Sequence, residues 1–135
     1  VIIDSSALLA ILLGEPEATA MVNAIGMASV RLVPAPTLVE ASAVLVARKG
    51  PSGELALDAL LQRLALVTVA MTPAAADCAR DGFRRFGKGI GNPGVLNFGD
   101  CLAYGVAKAT GHPLLCKGLD FIRTDVAVVE YGANG

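Results

Sequence analysis

Short apolar runs alternate with longer helical stretches along this chain, and that alternation constrains the fold more than any other feature. Val1-Ile2-Ile3 is a β-branched run that stops at Asp4. Ser5-Ser6 then lead into the helical run Ala7 to Leu13, which Gly14 stops. Glu15-Pro16-Glu17 opens a second helix, with proline near the first turn and acids where the helix dipole favours them. Leu32-Val33 is the next strand. Pro36 and Thr37 start a helix that reaches Arg48-Lys49 and closes at Gly50. Pro51-Ser52-Gly53 leads into a helix to about Leu64, followed by a strand over Leu66 to Ala70. Thr72 caps a further helix with Pro73 at its first position. After a glycine-rich loop from Gly87 to Gly94, a helix runs from Asn97 to about Thr110 and ends at Gly111. Pro113 to Cys116 and Val126 to Val129 complete the set as strands. Strands and helices in this order predict an α/β domain with a parallel sheet covered on both faces. No linker or repeat divides the chain, so residues 1–131 are expected to form one domain, with 132–135 a loose, flexible tail.

Composition narrows the function classes. The chain has 135 residues, 54% hydrophobic and only 17% charged, so it can bury enough apolar surface to fold rather than remain disordered. The longest charge-free stretches, Ala18 to Val30 and Leu64 to Ala76, are about 13 residues, short of a membrane span. No basic stretch leads into an apolar run at the start, so no secretory signal is expected. Cys78, Cys101 and Cys116 form no CxxC pair and, with a single His, supply a zinc site poorly. They read as reduced thiols of a cytoplasmic protein. A formal net charge of −1 argues against holding nucleic acid by bulk charge. The absence of Trp and the low aromatic content, 4%, argue against a base-stacking platform.

Three acids stand in apolar surroundings: Asp4 after Val-Ile-Ile, Glu40 within Leu38-Val39-Glu40-Ala41, and Asp100 within Phe98-Gly99-Asp100-Cys101-Leu102. The segment Lys117 to Asp125 follows a strand and adds Asp120 and Asp125. Each has an ordinary role available. Asp4 and Asp100 suit helix N-termini, Glu40 shares a polar stripe with Thr37, and Asp120 and Asp125 suit turns. Ligands of parallel α/β sheets, however, bind outside the carboxyl ends of the strands, where Asp4 stands. Converging carboxylates repel by about 4 kcal/mol per pair at ~4 Å and an effective dielectric of ~20. They therefore hold a proton or a cation. An all-oxygen set selects Mg²⁺ or Mn²⁺, which activates water and stabilises charge on a phosphoryl group. That chemistry is phosphodiester hydrolysis.

These segments, in their order along nearly the whole chain, resemble the PIN-domain ribonuclease toxins of the VapC family. Val1 to Leu8 is similar to the family's opening strand, with its Asp followed two residues on by Ser or Thr. Leu38-Val39-Glu40 matches its helical Glu, and Leu96 to Tyr104 its third acidic motif. Leu114 to Phe121, with Thr124-Asp125, resembles its closing motif. The resemblance implies a three-layer sandwich with a short, mainly parallel sheet flanked by helices. It implies an acidic pocket with one or two Mg²⁺ or Mn²⁺ ions. It also implies endoribonuclease activity leaving 5′-phosphate and 3′-hydroxyl ends, on transfer or ribosomal RNA, that blocks translation. A homodimer and a cognate VapB-type antitoxin are implied as partners. Carried over by motif, Asp4 and Asp100 are metal ligands and Glu40 joins them in coordination or water orientation. Ser6 supports Asp4, and Asn97 is a supporting or substrate-binding group. Many PIN domains carry an acid two residues before the Asp-Phe pair, where this chain has Gly118. The fourth acid is thus open between Asp120 and Asp125, with Asp120 favoured; Asp125 is otherwise a supporting group.

Other features point less far. Gly89 to Gly94 fits GxGxxG by letter but follows a helix instead of a strand, so the dinucleotide reading lacks its context. Arg80, Arg84 and Lys88 are spaced four apart and suit RNA phosphates, though Asp77 and Asp81 stand at pairing distance from the arginines. Lys88 and Lys117 lack obvious partners and are the better RNA candidates, with Arg84 next. His112 reads as a surface residue and Cys101 as core. The apolar surplus serves either the core or a dimer face. Two competing functions are a catalytically silent PIN-like interaction module and a phospho-acceptor receiver-like domain. The second wants paired acids near the first strand's end, and Asp4 has no acidic neighbour.

Overall fold

The computed structural model describes residues 1–132. Its elements follow the expected alternation: β1 (Ile2–Ile3), α1 (Ser5–Leu12), α2 (Ala18–Met27), β2 (Leu32–Pro34), α3 (Ala35–Lys49), α4 (Pro51–Arg63), β3 (Val67–Val69), α5 (Pro73–Phe86), α6 (Phe98–Thr110) and β4 (Leu114–Leu115), followed by a 3₁₀ turn, Phe121–Arg123. All four strands run parallel in the order β3-β2-β1-β4. The expected tail lies, from residue 133 on, outside the described residues.

Side-chain alternation along these short strands divides the core. Ile2 and Leu114 point into one apolar cluster with Phe86, Tyr104 and Ala107 of α5 and α6. Ile3, Val33 and Leu115 point into the other, with residues of α1 to α4 such as Leu8, Met21, Leu45 and Leu60. The sheet is thus the middle of three layers, with both faces of β1 and β4 buried. The central strands survive at this length because both their faces are covered and both their edges are paired. β3 is the edge, and Val67 there is 57% exposed.

The chain leaves β1 over one face and returns to β4 over the other, so β1 and β4 flank a topological switch point. Their carboxyl ends open the crevice in which α/β sheets bind ligands. The backbone is stitched there, with the Asp4 N–H donating to the Leu115 carbonyl at 2.9 Å.

One expected strand does not form. Val126 to Val129 makes only a single parallel bridge, Val128 to Leu114. β4 is two residues long, with Pro113 before it and a turn after Cys116, so it offers almost no edge to pair with. The glycine-rich loop folds back on itself: Lys88 N–H donates to the Leu96 carbonyl at 2.8 Å and Asn92 N–H to the Arg85 carbonyl at 2.9 Å. Most of its amides, those of Lys88, Ile90, Gly91 and Asn92 among them, are consumed internally, unlike those of a phosphate cradle.

Candidate active site

Asp4 is the keystone of the crevice. It caps α1, and one carboxylate oxygen, Oδ2, accepts both the Ser6 N–H at 3.1 Å and the Ser6 hydroxyl at 2.6 Å. The other, Oδ1, is buried with no partner. Asp4 is only 2% exposed. Burial pushes its carboxyl up to about 6, against the Ser6 hydrogen bonds, with the charges of Asp100 and Glu40 adding to the rise. Capping therefore occupies Oδ2 alone and leaves Oδ1 without a hydrogen-bond partner.

Asp100 reaches the crevice from the first turn of α6. Asn97 Oδ1 accepts the Asp100 N–H at 2.8 Å, and Asp100 Oδ2 accepts the Asn97 N–H at 3.0 Å, a reciprocal capping box. Burial raises the Asp100 carboxyl above its ordinary range. The hydrogen bond from Asn97 opposes this, Asp120 and Glu40 add to it, and Lys88 draws it back down. Asn97 thus supports Asp100 by fixing the helix start.

Glu40 comes from α3, one turn after Thr37, a buried residue whose hydroxyl has no partner. The Glu40 carboxylate lies directly over Gly99. A Cβ at Gly99 would stand 2.9 Å from Glu40 Cδ and collide with Oε2. Gly99 escaped the sequence reading, although a glycine in a helix's first turn is disfavoured and signals a close approach.

Asp120 follows β4 and is exposed, close enough to add to the charge felt by Asp100. Cys116 lies beneath the set; burial and the charges of Asp4, Asp100 and Asp120 push its thiol up to about 12. Gly118 has φ +94°, a left-handed conformation that an acid at this position would adopt only with strain. Asp125 is directed elsewhere. Its Oδ1 accepts the Tyr104 hydroxyl at 2.6 Å, and its Oδ2 takes Arg85 at 3.2 Å and Lys108 at 3.3 Å. It ties the 3₁₀ segment to α5 and α6 and does not support the acidic set.

The basic candidates also separate. Lys117, expected unpaired, is held by Glu15 and by Glu17 at 3.3 Å. Arg84 faces Asp81 at 3.5 Å on an exposed face. Lys88 makes no ion pair among the described residues, and its charge reaches Asp100. His112 stands before β4, at the opposite end of the strand from the acids.

The donors at the crevice are oxygens, and the orphaned, buried Oδ1 of Asp4 suits a hard divalent cation. Among the described residues, no three acidic, His or Cys side chains are gathered tightly enough to form a ready-made cage. The set fits such an ion in chemistry, with solvent or substrate oxygens needed to complete its coordination.

A parallel α/β sheet with acidic residues at the carboxyl ends of its strands is the architecture of a PIN-type domain, and the PIN domain profile matches residues 1–127. Ribonuclease VapC30 of Mycobacterium tuberculosis is 44% identical over 128 residues, covering 95% of this chain and 97% of that protein. Ribonuclease VapC of Mycolicibacterium smegmatis is 43% identical over 129 residues, covering 96% and 99%. The crystal structure of Mycobacterium tuberculosis VapC20, described as a sarcin-ricin loop cleaving toxin, superposes with a TM-score of 0.75 at 17% identity over 96% of this chain and 98% of that one. VapBC2 from Rickettsia felis, crystallised on a promoter DNA fragment, gives 0.73 at 15% identity, covering 96% of each chain. This chain belongs to the VapC family of PIN-domain proteins.

Proposed function

We propose that this protein is the toxin of a type II toxin–antitoxin pair, a Mg²⁺- or Mn²⁺-dependent endoribonuclease that cuts transfer or ribosomal RNA and stops translation. The observation that carries this reading is the buried carboxylate of Asp4 at the carboxyl end of the sheet, with one oxygen unpartnered and within reach of the charges of Asp100 and Glu40. The relatives named as ribonucleases, matched over nearly their full length, support it.

Asp4 and Asp100 are the residues that would hold the metal, with Glu40 and Asp120 beside them. Bound there, a divalent ion supplies positive charge for the phosphoryl oxygens and lowers the pKa of water. Ser6 keeps Asp4 Oδ2 occupied and so aims Oδ1. Glu40, which rests over Gly99, joins the metal's coordination or orients the attacking water in this reading. Lys88 draws the phosphate chain toward the acids.

The protein works in the cytoplasm as a homodimer, silenced by a VapB-type antitoxin. The VapBC2 assembly of the fold neighbour supports the antitoxin. No helix is long and apolar enough to cross a membrane among the described residues.

The test is cleavage of total cellular RNA by antitoxin-free protein in Mg²⁺, Mn²⁺ or EDTA, beside Asp4→Asn and Asp100→Asn. Metal-dependent cuts lost in both variants are expected. Folded wild-type protein that leaves every RNA intact in both metals would overturn the reading in favour of a silent interaction module.

A further inference from the structure

A large aromatic side chain stands in solvent beside the acids. Phe98, the first residue of α6, is 75% exposed, although the chain has only four Phe and no Trp. It directly precedes Gly99, on which Glu40 rests, and Asp100. A lone exposed apolar side chain is ordinary, but one that lines a contiguous apolar groove marks a binding surface.

Phe98 forms one wall of a groove of about 480 Å³ between α5 and α6. Phe83, Cys101 and Leu102 line it with apolar surface, and Arg80 and Arg84 reach its rim. The groove and the acids share the first turn of α6, where Phe98 and Cys101 line the one and Asp100 belongs to the other.

The rim is cationic in a directed way. Arg80 and Arg84 stand one turn apart on α5, and Lys88 follows just past its C-cap, where its charge is felt at Asp100. The arginines' ion pairs, to Asp77 at 3.9 Å and Asp81 at 3.5 Å, are exposed and exchange readily for phosphate. An apolar slot with an aromatic face, flanked by cations that lead to a phosphodiester-cleaving centre, matches a single-stranded nucleic acid with one base unstacked. A second copy of the chain in the same groove would have to dehydrate Arg80 and Arg84, which a polyanion neutralises.

We propose that this groove is the base subsite of the enzyme, with Phe98 the stacking face for a nucleobase next to the scissile phosphate. The low aromatic content excludes a broad platform, but one base requires one ring. This inference rests on the ribonuclease reading and adds the part of the substrate that the α5–α6 face holds.

The absence of Trp supplies the test. Phe98→Trp places the chain's sole indole in the groove. In EDTA, a short single-stranded RNA is expected to quench its fluorescence, whereas an abasic ribose-phosphate chain of equal length leaves it unchanged. In parallel, Phe98→Ala is expected to raise KM for RNA about tenfold with kcat within about twofold, and Phe98→Tyr to restore KM. Emission that changes with protein concentration alone, without RNA, would assign the groove to a second copy and overturn the proposal. Wild-type cleavage with KM unmoved by Phe98→Ala would also overturn it while leaving the ribonuclease reading intact. Quenching by RNA with no cleavage by the wild type would overturn the ribonuclease reading and leave a base site. If Phe98→Trp fails to fold by circular dichroism, the KM comparison decides alone.

Discussion

The Ser6 hydroxyl donates to Asp4 Oδ2 at 2.6 Å and accepts the Lys117 backbone N–H at 2.9 Å, so one oxygen links the ends of β1 and β4. Lys117 is anchored in turn through its side chain to Glu15 and Glu17. The turn after β4, which carries Asp120, is thereby positioned by a residue of α1.

Ser6→Ala removes the shorter of the two hydrogen bonds to Asp4 and leaves the Lys117 amide to solvent. Those bonds hold the Asp4 carboxyl down against burial. Their partial loss moves its ionisation to higher pH. We expect the acid limb of the kcat/KM profile to shift upward, activity near neutral pH to fall about tenfold, and stability to drop by ~1 kcal/mol. Ser6→Thr should retain most of the activity. An acid limb that stays in place would uncouple Asp4 from the rate.

Asp4 is held with its ionisation raised from an ordinary 3.8 to about 6. Between those values the native chain keeps a proton that the unfolded chain has released. Stability therefore falls as pH rises from about 4 to about 6, by at most ~3 kcal/mol, and stays low above that range. In metal-free buffer, Asp4→Asn should abolish this slope and melt higher than wild type at pH 7.5, a gain of ~1–2 kcal/mol, while cleaving no RNA. Mg²⁺ should raise the wild-type Tm and leave that of the variant unmoved. Thermal melts from pH 4 to 8, with EDTA or Mg²⁺, check both expectations. A wild-type curve flat across that range would show that Asp4 is not desolvated as described.

Gly99 and Glu40 form a pair that a double-mutant cycle can resolve. Gly99→Ala drives a methyl into the Glu40 carboxylate. The single variant is expected to lose ~1–3 kcal/mol and at least tenfold in activity, because Glu40 must leave its seat. Combined with Glu40→Ala, the same glycine change should cost less than half as much stability. Additive losses in urea unfolding would place the clash elsewhere.

What the sequence displayed and what it concealed divides by range. Asp4 was legible because an apolar run ending in an acid is a local pattern, and Asp100 because Asn97 and Asp100 form a helix start within four residues. The partners of Lys117 were not legible, since Glu15 and Glu17 lie about a hundred residues earlier. Val126 to Val129 has strand composition, yet a strand needs an edge, and the brevity of β4 appears nowhere in the segment itself. Gly99 carried a usable signal in its helix position. Whether Asp120 or Asp125 turned toward the acids depended on Tyr104, 21 residues before Asp125, whose ring fills the core and whose hydroxyl needs an acceptor.

That last contact separates the two acids experimentally. Burial alone would raise the Asp125 carboxyl, but hydrogen bonds from Tyr104 and Lys108 and the charges of Lys108 and Arg85 outweigh it and hold the group below its ordinary range. Asp125 therefore contributes stability that is present above the unfolded-state pKa and fades as pH falls through the lower folded value. Asp125→Ala leaves the Tyr104 hydroxyl, on a residue 1% exposed, without its partner. It should lower stability by ~1–3 kcal/mol while kcat stays within about threefold. Asp120 is exposed and makes no ion pair among the described residues. Asp120→Asn should therefore leave Tm within about a degree of wild type and reduce RNA cleavage at least tenfold. Melting curves and initial rates on the same preparations decide the matter. A stable, inactive Asp125→Ala beside an active Asp120→Asn would move the fourth acid five residues along the chain and require the turn after β4 to rearrange when RNA binds.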